Sequence, residues 1–114
     1  MPSSWNSFVN WIRRPAPKRS DEDLASDLKK ELVRASELLA ANIDLPGYNM
    51  DARSFKAIID PMIGKLEAGQ SVDTGKLGVM FAPTTDWDDI SVQMSQSDDQ
   101  MAQDVANKIC DLCS

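Results

Sequence analysis

Apolar positions fall at helical spacing along most of this chain. Trp5, Phe8, Val9 and Ile12 lie at i, i+3, i+4 and i+7, which predicts a short helix over residues 3–13. Ser3 or Ser4 can cap it, and Arg13 and Arg14 suit its last turn. Trp11 sits about 110° off the stripe at about 100° per residue. Pro15-Ala16-Pro17 stops the helix and favours an extended linker.

Ser20 reads as the cap of the next helix, with Asp21, Glu22 and Asp23 filling its first turn. Leu24, Leu28, Leu32, Ala35 and Leu39 step along one face, widened by Val33 and Leu38. That helix is expected over 21–42, ended by Asn42 and a Leu45-Pro46-Gly47-Tyr48 turn. Asp51 then caps a helix carrying the cleanest period in the chain: Phe55, Ile58, Ile59, Met62, Ile63 and Leu66. Pro61 interrupts it, as a kink or as the first residue of a second piece capped by Asp60. Gly69 is the expected stop, and 70–76 the expected loop.

The apolar run 77–82 is too short for periodicity to choose between strand and helix. With no second strand to pair it, an irregular or helical packed segment is expected. Thr84 or Thr85 caps the next helix, whose inward positions are Trp87, Ile90 and Met94. Ser97 and Gln100 have capping-box spacing, and Met101, Val105, Ile109 and Leu112 mark the inner face of a last helix. Residues 86–113 could equally be one continuous helix. The pattern predicts an all-α fold, a small bundle of four to five helices with an irregular apolar segment at 77–82. Residues 1–19 form an amphipathic helix and a basic, Pro-containing linker, and 20–114 a single helical domain.

Charge changes this picture from end to end. Residues 1–20 hold four bases and no acid, residues 21–66 nine acids and six bases, and residues 67–114 nine acids and two bases. The net charge of −6 is thus +4, −3 and −7 along the chain. An acidic chain has no strong pull toward nucleic acid, so no direct nucleic-acid binding is expected. Histidine is absent, which removes imidazole bases, His-activated nucleophiles and His metal ligands. No apolar run approaches the roughly 18 residues of a membrane span. No secretory signal, myristoylation or prenylation motif is seen, which favours the cytoplasm and reduced thiols.

Cys110 and Cys113 form a CxxC pair, the spacing of a redox dithiol or half a zinc site. They sit where a helix ends, and the dipole there opposes a thiolate. Two thiols without histidine also fall short of four zinc ligands. Packing against the core is the expected role. Asp86, Asp88 and Asp89 are the densest carboxylates, but the calcium-loop spacing fails, with Ile90 at its fifth place and Ser97 at its twelfth. Helix-start acids account for them; the sharper reading is an acidic binding edge shared with Asp98 and Asp99. No phosphate loop occurs, and Ser26-x-x-Lys29 lies within a predicted helix without its companion motifs. No cofactor is expected.

These features predict a small acidic helical protein-binding module without catalytic activity: an inhibitor, an immunity-like protein or an adaptor. Its candidate contact residues are Trp5, Phe8, Trp11, Arg13, Arg14, Asp86, Trp87, Asp88, Asp89, Asp98 and Asp99. The alternative is a peripheral membrane protein anchored through residues 1–19, with aromatics at the headgroups and bases on anionic lipid. A Cys- or Asp-based enzyme ranks behind both. The partner's identity and the oligomeric state stay open.

Overall fold

The computed structural model describes residues 21–113, and these form five helices and no strand. They are α1 (Asp21–Ala41), α2 (Ala52–Glu67), α3 (Thr74–Phe81), α4 (Asp86–Ser91) and α5 (Gln96–Cys113). The all-α bundle read from the sequence is the fold of the described residues. The expected helix over 3–13, its Pro-containing linker and the Ser20 cap lie outside them.

Helix α1 is the central strut. Its Leu28, Leu32, Ala35, Leu38 and Leu39 are buried, the stripe that the sequence marks. Two partners run antiparallel to it. Against α2, Lys29 pairs with Glu67 at 3.4 Å and Ser36 Oγ donates to Asp60 Oδ1 at 2.6 Å. Against α5, Arg34 reaches Asp104 at 3.2 Å and Asn42 Nδ2 donates to Asp98 Oδ2 at 3.3 Å. As the residue number rises on α1 it falls on each partner. Arg34 also holds Glu31, which is only 5% exposed, at 2.8 Å. A buried carboxylate needs such a partner to offset its lost hydration.

Helix α2 starts as expected, with Asp51 Oδ1 accepting the Ser54 amide at 2.8 Å. This hydrogen bond, foremost, holds the Asp51 carboxyl below its ordinary pKa of 3.8. Pro61 neither breaks the helix nor lets Asp60 cap a second piece. Asp60 is instead committed sideways, to Ser36 and to Lys56 at 2.6 Å. Its burial raises the carboxyl pKa, and those two donors outweigh the burial and leave it lowered. The helix ends in a Schellman arrangement. Gly69 takes φ +76°, its amide bonds the Leu66 carbonyl at 3.1 Å, and the Gln70 amide bonds Lys65 at 2.8 Å.

The expected loop over 70–76 is shortened to 70–73, and of the two forms expected for 77–82, α3 corrects the irregular one and takes the helical one. Asp73 Oδ1 accepts the Lys76 amide at 3.0 Å and starts a helix that continues through Phe81. Leu77, Met80 and Phe81 are buried at helical spacing, while Val79 faces outward. Ala82 is extended, as a residue before proline prefers to be, and the helix stops there.

Residues 86–113 are two helices. Thr85 stands at the start of α4, but its hydroxyl donates back to the Met80 and Ala82 carbonyls and caps nothing. Ser95 caps α5, rather than Ser97, since its Oγ accepts the Asp98 amide at 3.4 Å. The inner face of α5 is Ala102, Val105, Ala106 and Ile109. Met101, expected inside, is 45% exposed. Three rings tie α2, α3 and α4 together. Phe55, Phe81 and Trp87 have centroids 4.8–5.3 Å apart, in the tilted and edge-on geometries that aromatic quadrupoles favour.

Candidate partner-binding face

The starts of α4 and α5 each carry the acids that a helix N-terminus attracts. The fold joins these two groups. Gln103, one turn beyond Asp99 on α5, donates from Nε2 to Asp88 Oδ1 at 3.4 Å and to Asp99 Oδ1 at 3.5 Å. Asn49, in the loop between α1 and α2, donates to Asp86 Oδ1 at 3.0 Å. Asn42, at the end of α1, reaches Asp98. Gln93 holds that loop against α4 by donating to the Pro46 and Asp89 carbonyls. Gln103 thus joins Asp88 to Asp99, while Asp86, Asp89 and Asp98 lie toward the 42–51 loop, so the five half-buried acids flank the junction of α4, α5 and that loop.

The carboxylates of Asp86, Asp88, Asp98 and Asp99 accept from neutral side-chain amides. Five acids elsewhere are treated differently. Glu31, Asp44, Asp60, Glu67 and Asp104 all have a lysine or arginine within 4.0 Å. Asp104, bonded by Lys108 and by Arg34, is held below the ordinary carboxylate pKa. The acids at this junction have no ion-pair partner within 4.0 Å among the described residues. A side-chain amide orients a carboxylate but does not neutralise it, so the field of this face projects outward.

Tyr48 stands beside this charge. It is 91% exposed and, with Pro46, Gly47, Asp89 and Gln93, lines a shallow depression. A rigid aromatic carrying one hydroxyl is a frequent anchor at protein interfaces. Sequence reading took it as a turn residue, took Asn42 only as a helix end, and passed over Gln103 and Asn49. The Asp99–Gln103 spacing of four was the available signal for Gln103.

Trp87 is removed from the surface set. It is 1% exposed, and its indole N–H donates to the Ala102 carbonyl at 3.0 Å. Trp5, Phe8, Trp11, Arg13 and Arg14 lie outside the described residues. No three His, Cys, Asp or Glu side chains converge on a metal-sized position among the described residues. No helix among them is long and apolar enough to cross a membrane.

Cys110 and Cys113 close α5, half-buried against the core. Burial pushes both thiols up, and for Cys113 burial, with the neighbouring Cys110 adding to it, takes the pKa to about 11. This works against thiolate chemistry, as the helix end does. At about pH 8, Cys113 should alkylate with iodoacetamide roughly a hundredfold more slowly than a free thiol, because only the thiolate reacts. Peptide mass spectrometry over a pH series checks this. A midpoint near that of free cysteine would show the thiol to be more solvated than its packing implies.

No protein-family model matches the chain, and no curated protein and no solved structure shows significant similarity to it.

Proposed function

We propose that this protein is a small non-catalytic binding module that docks on a basic surface of another protein, as an inhibitor or adaptor would. Asp86, Asp88, Asp89, Asp98 and Asp99 supply the charge, and Tyr48 the apolar anchor beside it. The single supporting observation is that these acids flank one junction of the fold and that four of them, Asp86, Asp88, Asp98 and Asp99, are held by side-chain amides with no ion pair among the described residues. Such a face speeds encounter with a positive partner and discriminates against acidic ones. The amides hold the carboxylates in place beforehand, which lowers the ordering cost on binding. The proposed setting is the cytoplasm, where two packed thiols stay reduced.

Two charge-matched variants test this reading against a fluorescent dodeca-arginine peptide. Asp89→Asn with Asp98→Asn removes two charges from the face; Glu37→Gln with Glu67→Gln, exposed on α1 and α2, removes two elsewhere. The first pair should weaken binding about tenfold at low salt, roughly 1.4 kcal/mol, and the second less than about twofold. Equal losses would mean that overall charge, not this face, attracts the probe.

A further inference from the structure

We propose that the crevice between the α3–α4 turn, α4 and α5 receives one arginine side chain of the partner, a reading that rests on the basic docking surface proposed above. The crevice has a volume of about 170 Å³. At about 30 Å³ per water that is about six waters, the bulk of one long side chain. Its inner wall is apolar, since Phe81 and Trp87 are 1% exposed and Ala106 6%. Its polar groups lie at the open side, with Asp88 half-buried and Gln103 and Asn107 exposed.

The turn beside the crevice is held in an uncommon shape. Pro83 lines the crevice, and Thr84 next to it takes φ +64°, which a β-branched residue rarely adopts. The Thr85 hydroxyl ties the turn down by donating to the Met80 and Ala82 carbonyls. Strain of this kind persists where the surrounding structure imposes it, and it collects at ligand clamps.

Charge and hydrogen bonding select the occupant. Of the five acids at the junction only Asp88 lines the crevice, and no lysine or arginine among the described residues lines it. Gln103 Nε2 is given to Asp88 and Asp99, which leaves the carbonyl oxygen of that side chain as an acceptor. Asn107, one turn further along α5, offers a second amide oxygen. A lysine would bring a compact, strongly hydrated ammonium to this rim. A guanidinium brings a planar fork of five donors and is more weakly hydrated. Such a fork can meet Asp88 and an amide oxygen at once, while its methylene stem lies along the ring-lined wall. Gln103 bonds both Asp88 and Asp99, so the crevice adjoins the acidic junction that draws the partner in.

The test compares fluorescent dodeca-arginine with dodeca-lysine, which carry equal charge, on the full-length chain. Wild type should bind dodeca-arginine about fivefold tighter, the worth of one net hydrogen bond. Asn107→Leu, at an exposed position of α5, removes one acceptor and crowds the crevice. It should cut that ratio to less than about twofold and leave dodeca-lysine binding unchanged. The Asp89→Asn, Asp98→Asn pair should weaken both peptides alike and keep the ratio. In wild type, N-acetylarginine amide should shift the 15N signals of the Trp87 indole and the Asn107 side chain, and N-acetyllysine amide should not. A ratio near one, or a ratio that survives Asn107→Leu, overturns the arginine slot and leaves the acidic face standing. Shifts from the arginine amide that bypass Trp87 and Asn107 overturn the slot as well, whatever the peptides show. Binding of neither peptide overturns the face and the slot together.

Discussion

Trp87→Ala should lower stability by about 3–5 kcal/mol, the usual cost of emptying a fully buried Trp site. A domain of this size has about 5–14 kcal/mol in all, so a fall in Tm of some 20 °C or more is expected. The reason is position rather than size alone. The indole is the one ring in contact with both Phe55 of α2 and Phe81 of α3 while sitting on α4, and its N–H is bonded to α5. Trp87→Phe separates the two contributions. It keeps most of the ring contacts and loses the hydrogen bond to Ala102, so about 1–2 kcal/mol should go. Urea denaturation followed by circular dichroism measures both. Equal losses would place the stabilisation in the hydrogen bond instead of the ring cluster.

Gly47→Ala is the second large effect. A methyl at Gly47 would run into the Met50 carbonyl oxygen and lie 3.2 Å from the Ile90 side chain. Backbone on one side and a fully buried residue on the other leave no soft neighbour to yield. A loss of about 2–3 kcal/mol is expected, at the upper end for overpacking. Gly64→Ala is the control, because a methyl there meets nothing within 4 Å on an exposed face of α2. It should stabilise by about 0.5–1 kcal/mol, since alanine is the better helix former. One substitution type thus gives opposite signs at two sites. Melting curves read them, and two similar shifts would contradict the close packing of the 42–51 loop on α4. That packing places Tyr48 and Asn49 beside the acidic face.

Much of the helical frame was legible because it rests on long, regular stripes. Leu28 to Leu39 on α1 and Phe55 to Leu66 on α2 are such stripes, and caps such as Asp51 and the Gly69 stop are local chemistry. Helix α3 was hidden for the opposite reason. It has eight residues, and its start depends on an Asp73 cap in a stretch whose glycine and polar content resembles a loop. The break between α4 and α5 turns on which of two serines, Ser95 or Ser97, takes the cap, a choice that spacing does not make. The acids of the candidate face were each visible as helix starts. Their union could be offered only as the sharper alternative, because Gln103 joins Asp88 to Asp99 only once α4 and α5 pack together. Trp87 reads both ways in the sequence: its spacing with Ile90 and Met94 marks it as inward, its flanking aspartates as a contact residue, and the spacing is the reading that its burial bears out.

The central claim is that the five clustered aspartates form the surface that meets a basic partner. It is tested most directly by following a 15N-labelled sample through a titration with dodeca-arginine. The side-chain amides of Asn42, Asn49 and Gln103 are built-in reporters, since each is bonded to one of these carboxylates. The account predicts that these signals, with the backbone amides of 86–89 and 98–99, shift first and furthest. Shifts of equal size at Glu37, Glu67 and Asp73 would contradict it.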